Sequence, residues 1–155
     1  MFLTAMTTQV PKAMTSLCLR DKVIIVTGGN SGIGKAIVEA VGALGAKVVI
    51  DYRSHPERTD ELIDEIGELG GQAIGVQADV AKLDDLQRLV DVAVKTFGKV
   101  DVMVNNAGIE TRTSILDTTP EDFDKVMNVN LRGVFFATQY AAKQMIAQGL
   151  SLIHI

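Results

Sequence analysis

Val23-Ile24-Ile25-Val26-Thr27-Gly28-Gly29-Asn30-Ser31-Gly32-Ile33-Gly34 is the stretch whose reading decides the fold. Four β-branched residues in succession suit a parallel strand covered on both faces. The glycines at 28, 32 and 34 allow positive φ and let backbone N–H groups approach a ligand with no Cβ in the way. From Ile33 to about Leu44 the pattern predicts a helix whose positive N-terminal end points at the same spot. Strand, bare turn and helix start together make a pyrophosphate site. A glycine-rich loop that only turns the chain is the alternative, and the markers further along count against it.

Composition sets the outer bounds. At 155 residues, 47% of them hydrophobic and 22% charged, the chain has room for one ordinary globular domain or less. A net charge of -4, with no cluster of Lys and Arg, argues against a nucleic-acid surface. The single cysteine, Cys18, excludes an internal disulfide framework and fits a reducing cytoplasm. No apolar run approaches the about 20 residues of a membrane helix. Residues 1–16 lack a basic start and a long apolar core, so they make a poor signal peptide. With Met6 and Met14 inside it, the segment 1–18 is expected to be a disordered extension ahead of a domain over 19–149. The last six residues, Leu150-Ser151-Leu152-Ile153-His154-Ile155, read either as a genuine apolar tail or as a translated transposon-end adapter from DNA library preparation. On the adapter reading the domain is an N-terminal piece of a longer protein.

Strand and helix patterns alternate at the spacing of βαβ units. Strands are predicted over 22–27, 47–51, 72–77 and 100–104, with helices over 32–44, 56–69 and 83–97. Leu62, Ile63, Ile66 and Leu69 share one face of the second helix, and Gly70-Gly71 ends it. Leu86, Leu89, Val90, Ala93, Val94 and Phe97 do the same for the third, which stops at Gly98. After a loop over 105–119, a long helix starts at Thr119-Pro120-Glu121-Asp122, with a Thr cap, Pro at N1 and acids in the first turn. Its apolar lining is Phe123, Val126, Met127, Val134 and Ala137, interrupted by the polar Asn130. The expected architecture is α/β, a Rossmann-type doubly wound parallel sheet carried as far as the fourth strand and the long helix after it. Its ligand crevice lies at the carboxyl ends of the strands.

Two further markers fall at those ends. Asp79-Val80 follows the third strand, where a carboxylate accepts a hydrogen bond from an adenine amino group. Asn105-Asn106-Ala107-Gly108 follows the fourth, where small residues let the backbone run beside a ligand. With the TGxxxGxG turn, these ordered motifs make the chain, over about 19–149, resemble the N-terminal half to two-thirds of a short-chain dehydrogenase/reductase. The strings KVVIDYRS, FGKVDVMVNNAG and VNLRGVFFATQ are similar to the glucose 1-dehydrogenase and 3-oxoacyl-carrier-protein reductase group.

The resemblance implies a cofactor set. Gly28, Asn30, Ser31, Gly32, Ile33 and Gly34 would form the phosphate-binding turn, Asp79 and Val80 the adenine contacts, and Asn105, Ala107 and Gly108 the contacts beneath the ribose. It also implies that Asn130 is the family's catalytic asparagine, whose backbone carbonyl holds a water in a proton relay. A helix residue satisfying a local backbone group is the plainer reading of Asn130. The acid that grips the ribose 2′-hydroxyl in NAD-specific members should sit at Tyr52, which cannot play that role. Arg53 follows, where a 2′-phosphate needs a cation. Asp51 lies one position early, with its carboxylate expected on the other side of the strand. NADP(H) is therefore favoured, with NAD(H) or dual use open.

The family's serine and Tyr-x-x-x-Lys do not occur in this sequence at the expected places. Tyr140 and Lys143 are three apart rather than four, and only ten residues beyond Asn130, so they are expected to be surface positions of the helix. His55 has no Cys or His partner at ligand spacing, so metal binding has no support. The resemblance thus implies the cofactor-binding part of an NAD(P)-dependent oxidoreductase acting on a small alcohol or ketone, from a parent that forms homo-oligomers. A non-catalytic dinucleotide-binding sensor on the same fold is the second reading. By itself this stretch is expected to be inactive. Glu110, Thr111 and Arg112 would border the substrate mouth without naming the substrate.

Overall fold

A computed structural model describes residues 19–149 of the chain. The expected N-terminal extension and C-terminal tail lie outside the described residues. Four strands, β1 (Val23–Val26), β2 (Lys47–Tyr52), β3 (Gln72–Gln77) and β4 (Val102–Val104), alternate with helices α1 (Gly32–Ala43), α2 (Pro56–Glu68) and α3 (Leu83–Phe97). The strands form one parallel sheet in the order β3-β2-β1-β4. β1 is buried along its whole length because helices cover both faces of the sheet. On one face Val38 of α1 and Leu62 and Ile66 of α2 pack on Ile24, Val26, Val48 and Ile50. On the other, Leu89, Val90 and Ala93 of α3 pack on Val23, Ile25, Val49 and Val76. This is the doubly wound arrangement that the alternating pattern predicts.

β4 is shorter than expected, because only Val102–Val104 joins the ladder with β1. Ahead of it, the Asp101 carboxylate accepts the backbone N–H of Val23 at 2.9 Å, so the entry to the strand is held by a side chain.

The predicted long helix runs in three parts: α4 (Pro120–Met127), a π-helical turn (Asn128–Gly133) and α5 (Val134–Ala147). Thr119 caps its start, its hydroxyl accepting the N–H of Asp122 at 3.2 Å. The buried strip differs from the predicted lining. Phe123 points outward, and Val129, Gly133, Ala137 and Ala141 at a spacing of four face the core. Small residues win there because the helix passes directly over the loop after β3. A Cβ on Gly133 would stand 2.6 Å from the carbonyl oxygen of Val80.

Candidate functional site

The turn after β1 is built by hydrogen bonds from three neighbouring segments. Gly28 and Gly32 take positive φ, +61° and +53°, which only glycine adopts without strain. The N–H of Gly28 donates to Oδ2 of Asp51 at 3.2 Å, and that of Gly29 to the Asp51 carbonyl at 2.8 Å. Thr27 ties the turn to β4, its hydroxyl accepting the N–H groups of Asn106 and Ala107, each at 3.0 Å. Asn106 returns its side-chain amide to the carbonyls of Thr27 and Gly28, at 2.9 and 3.2 Å. Asn30 reaches the other way, donating from Nδ2 to the carbonyls of Ser54 (2.8 Å) and His55 (3.1 Å). A buried amide thus couples the glycine turn to the loop carrying Arg53.

These contacts shape a cleft of about 250 Å³ at the carboxyl ends of β1–β4. Of the sequence-based candidates, Gly28, Asn30, Ser31, Arg53, Asp79, Val80, Ala107 and Gly108 line it. The N-cap residue Ser31 makes no side-chain cap, so among the described residues no side chain caps the first turn of α1. Asp79 closes the far end. Its Oδ1 accepts the N–H of Ala81 at 3.1 Å, and its own N–H donates to Asp85 Oδ2 at 2.9 Å. The Arg88 guanidinium and that Asp79 N–H hold the Asp85 carboxyl below the usual carboxylate range.

Several predicted residues are not among those that line the cleft. Gly34 is a packing position, since a Cβ there would stand 2.2 Å from the carbonyl oxygen of Gly28 and 2.6 Å from Nδ2 of Asn106. It lets α1 start against the turn, whereas Gly32 has nothing within 4 Å of its missing Cβ. Ile33 is largely exposed on the first turn of α1. Asn105 turns away, donating from Nδ2 to the Thr138 hydroxyl at 2.9 Å. Asn130 acts on the cleft wall at one remove. Its Oδ1 accepts the N–H of Ile109 at 2.9 Å and its Nδ2 donates to the Ile109 carbonyl at 2.8 Å, clamping a residue that lines the cleft.

The largest correction concerns β2. Alternation along the strand holds, but the assignment of faces reverses. Asp51 lines the cleft, 2% exposed, while the Tyr52 ring lies toward Gly75 on the α2 side. Burial pushes the Asp51 carboxyl from 3.8 up to about 7, against the lowering effect of its bond from Gly28. Its Oδ1 is buried with no hydrogen-bond partner. Ser54, Ala78, Asn106, Ile109 and Val129 also line the cleft and were not among the sequence-based candidates. For Asn106 the signal was present in the motif, since the second Asn of the pair faces the turn.

Tyr140 is half-buried rather than a surface position, because it packs on the cluster formed by α3 and β1. Lys143 lies 6.0 Å above its ring and donates to Gln139. Neither residue lines the cleft.

With the turn, the strand ends and the Asn-Asn-Ala-Gly loop in place, the comparison with known proteins is decisive. Residues 22–153 match the short chain dehydrogenase family. The chain belongs to that family. Among curated short chain dehydrogenase relatives, a versicolorin reductase from Emericella nidulans is 43% identical over 127 residues, covering 82% of this chain and 48% of the relative. A trihydroxynaphthalene reductase from Pestalotiopsis fici is 35% identical, covering 90% of this chain and 49% of its own length. A short chain dehydrogenase from Burkholderia cenocepacia, solved in complex with NADP, superposes with a TM-score of 0.79 at 42% identity, over 81% of this chain and 51% of that one. The chain therefore spans about half the length of the short chain dehydrogenases it matches.

Proposed function

We propose that this chain is the cofactor-binding part of an NAD(P)-dependent oxidoreductase that interconverts an alcohol and a ketone. The observation that carries the reading is convergence in one cleft: the left-handed Gly28, Ser31 at the start of α1, and the ends of β2 and β3 with Arg53 and Asp79. Uncapped helix N–H groups and a turn without a Cβ suit a pyrophosphate. Asp79, with one carboxylate oxygen outside the bond from Ala81, suits an adenine amino group. Thr27 and Asn106 hold the turn against Ala107-Gly108, where a ribose and nicotinamide would run. Once bound, the nicotinamide supplies or accepts a hydride. The part of these residues is to bind it, orient it and keep the turn from collapsing. Saturable binding of NADPH or NADH to the intact protein, followed by dinucleotide fluorescence, is the expected result. Absence of saturable binding of both would overturn the reading.

NADP(H) is the favoured cofactor because Arg53 stands in the cleft just after β2, and NAD(H) or dual use stays open because Asp51 lines the cleft as well. Arg53→Ala is expected to raise the Kd for NADPH and leave that for NADH nearly unchanged. Loss of a charge-assisted bond to phosphate costs roughly 1.5–3 kcal/mol, or about ten- to a hundredfold. Equal losses for both dinucleotides in the same titrations would remove Arg53 as the selector.

The same proposal includes the finer features of the parent protein. Asn130 would serve the proton relay that the family resemblance implies, its side chain meanwhile fixing Ile109. Membership of the glucose 1-dehydrogenase and 3-oxoacyl-carrier-protein reductase group rests on the three strings quoted above. Self-association is supported by the exposed Leu131, Phe135 and Ile146 on the long helix. A cytoplasmic location rests on the single cysteine, and none of the described helices is long and apolar enough to cross a membrane. By itself the 155-residue chain is expected to reduce no ketone, because the family's serine and Tyr-x-x-x-Lys do not occur at the expected places and Tyr140, packed against the α3 cluster, does not line the cleft. NADPH oxidation by this purified chain with a ketone present would refute that.

A further inference from the structure

Two backbone groups at the end of β3 face away from the sheet. β3 is an edge strand among the described residues, and a strand turns the N–H and C=O of alternate residues to opposite sides. Ala78, just past β3, donates its N–H to the Tyr52 carbonyl of β2, so the C=O of Gln77 and the N–H of Asp79 point to the open side. Helix α3 meets both with side chains. Nη2 of Arg88 donates to the Gln77 carbonyl at 2.8 Å, and Oδ2 of Asp85 accepts the N–H of Asp79 at 2.9 Å. The same Nη2 donates to Oδ1 of Asp85 at 2.8 Å, so the two side chains are locked to each other as well as to the strand. An acid and a base three residues apart on one helix thus take the place of a neighbouring strand.

What they hold is Asp79. Besides the bond from its N–H to Asp85, its carbonyl accepts the N–H of Lys82 at 2.8 Å and its Oδ1 that of Ala81 at 3.1 Å. Asp79 lines the cleft, whereas neither Asp85 nor Arg88 is among the residues that do. We propose that Arg88 and Asp85 are positioning residues for the adenine end of the dinucleotide, setting the height and direction of the Asp79 carboxylate so that its second oxygen meets the adenine amino group. The inference rests on the dinucleotide reading of the cleft given above. Without the guanidinium, the Asp85 carboxylate loses its fixed partner, turns toward water and releases the Asp79 N–H. The turn carrying Asp79 then loosens, and the bond to the amino group weakens with it. Both side chains are partly exposed, and pairs of that kind add little to global stability, so the fold should survive their removal.

A role confined to closing the sheet edge would disturb every dinucleotide alike, whereas positioning of Asp79 is felt only by a ligand that carries the amino group. The test therefore compares NADH with its hypoxanthine analogue, in which a carbonyl replaces that amino group. Both are titrated by dinucleotide fluorescence against the intact protein and against Arg88→Met and Asp85→Ala. The wild type is expected to bind NADH about tenfold more tightly than the analogue, the effect of one hydrogen bond to a charged acceptor. In either variant the Kd for NADH should rise to within about twofold of the analogue's, while the Kd for the analogue stays at its wild-type value. Variants that weaken both ligands by the same factor overturn the proposal, as do variants that keep the full preference for NADH. A wild type with no preference overturns it too, whatever the variants do. Failure of the wild type to bind either ligand overturns instead the reading of the cleft itself.

Discussion

Gly34→Ala is expected to destabilise the whole β1–α1 unit rather than merely block a ligand. The added Cβ would meet the Gly28 carbonyl oxygen at 2.2 Å and the Asn106 amide at 2.6 Å. Neither obstacle is the free end of a side chain. Gly28 follows β1 directly and bonds to Asp51, and Asn106 is fastened to Thr27 and Gly28. Relief requires α1 to lift from the sheet, which strips Val38 from Ile24, Val26 and Ile50. Overpacking against flexible side chains costs about 1–3 kcal/mol, and a backbone obstacle places this variant at about 3 kcal/mol or more. For a domain of this size the melting temperature should fall by roughly 10 °C. Gly32→Ala is the informative partner. Its Cβ meets nothing, and the left-handed φ costs alanine only about 1–2 kcal/mol, so it should melt within several degrees of the wild type while losing dinucleotide affinity. Indistinguishable thermal melts for the two variants would refute the division of labour between these glycines.

The second large effect is a stability that declines with pH through Asp51. Its carboxyl titrates at about 7 when folded, against 3.8 as an ordinary aspartate. Between those values the folded chain holds a proton that the unfolded chain has released. The stabilisation is thus fully present below about pH 4 and is lost progressively as the pH rises through about 7. The loss amounts to about 4 kcal/mol, because burial of the charged form is the dominant cause and little solvent reaches the group. Asp51→Asn keeps an acceptor for the Gly28 N–H and cannot ionise. Urea midpoints in the absence of dinucleotide should show the variant gaining on the wild type from about pH 5 to about pH 8. A constant difference between the two proteins over that range would mean that Asp51 is ionised throughout.

Much of the architecture was legible because it rests on local patterns. The β-branched run of β1, the apolar faces of α2 and α3 and the Thr119 cap each specify their element with little help from elsewhere. The errors arose where two distant segments decide the outcome. Period-two alternation places Asp51 and Tyr52 on opposite faces, but which face looks into the cleft depends on how the turn after β1 crosses the end of β2. Gly32 and Gly34 read alike in the motif and differ because only one of them lies against Asn106. The large residues of the long helix suggest an apolar lining, whereas its contact with the loop after β3 requires glycine at 133, and Ala137 and Ala141 continue the buried strip. Tyr140 reads as a surface position of an amphipathic helix, and only the proximity of α3, which the local pattern does not carry, half-buries it. The predicted residues that line the cleft all belong to motifs at strand ends, but a place in such a motif does not suffice, since Asn105 turns to Thr138 and Gly34 packs against the turn.

The Arg53 loop is fastened at every successive carbonyl from Tyr52 to His55: by Ala78, by the Gln77 side chain, and twice by Asn30. Such a loop is not a detachable cassette. Exchanging it for the corresponding segment of an enzyme with the other cofactor preference would transplant the charges without their holdfasts. The new loop would settle at a different height above the glycine turn unless residues 30 and 77 travelled with it. If the Arg53 loop sets cofactor preference as proposed, that preference is inherited by three separated stretches of sequence jointly, and engineering or natural drift toward the other dinucleotide must change them in concert.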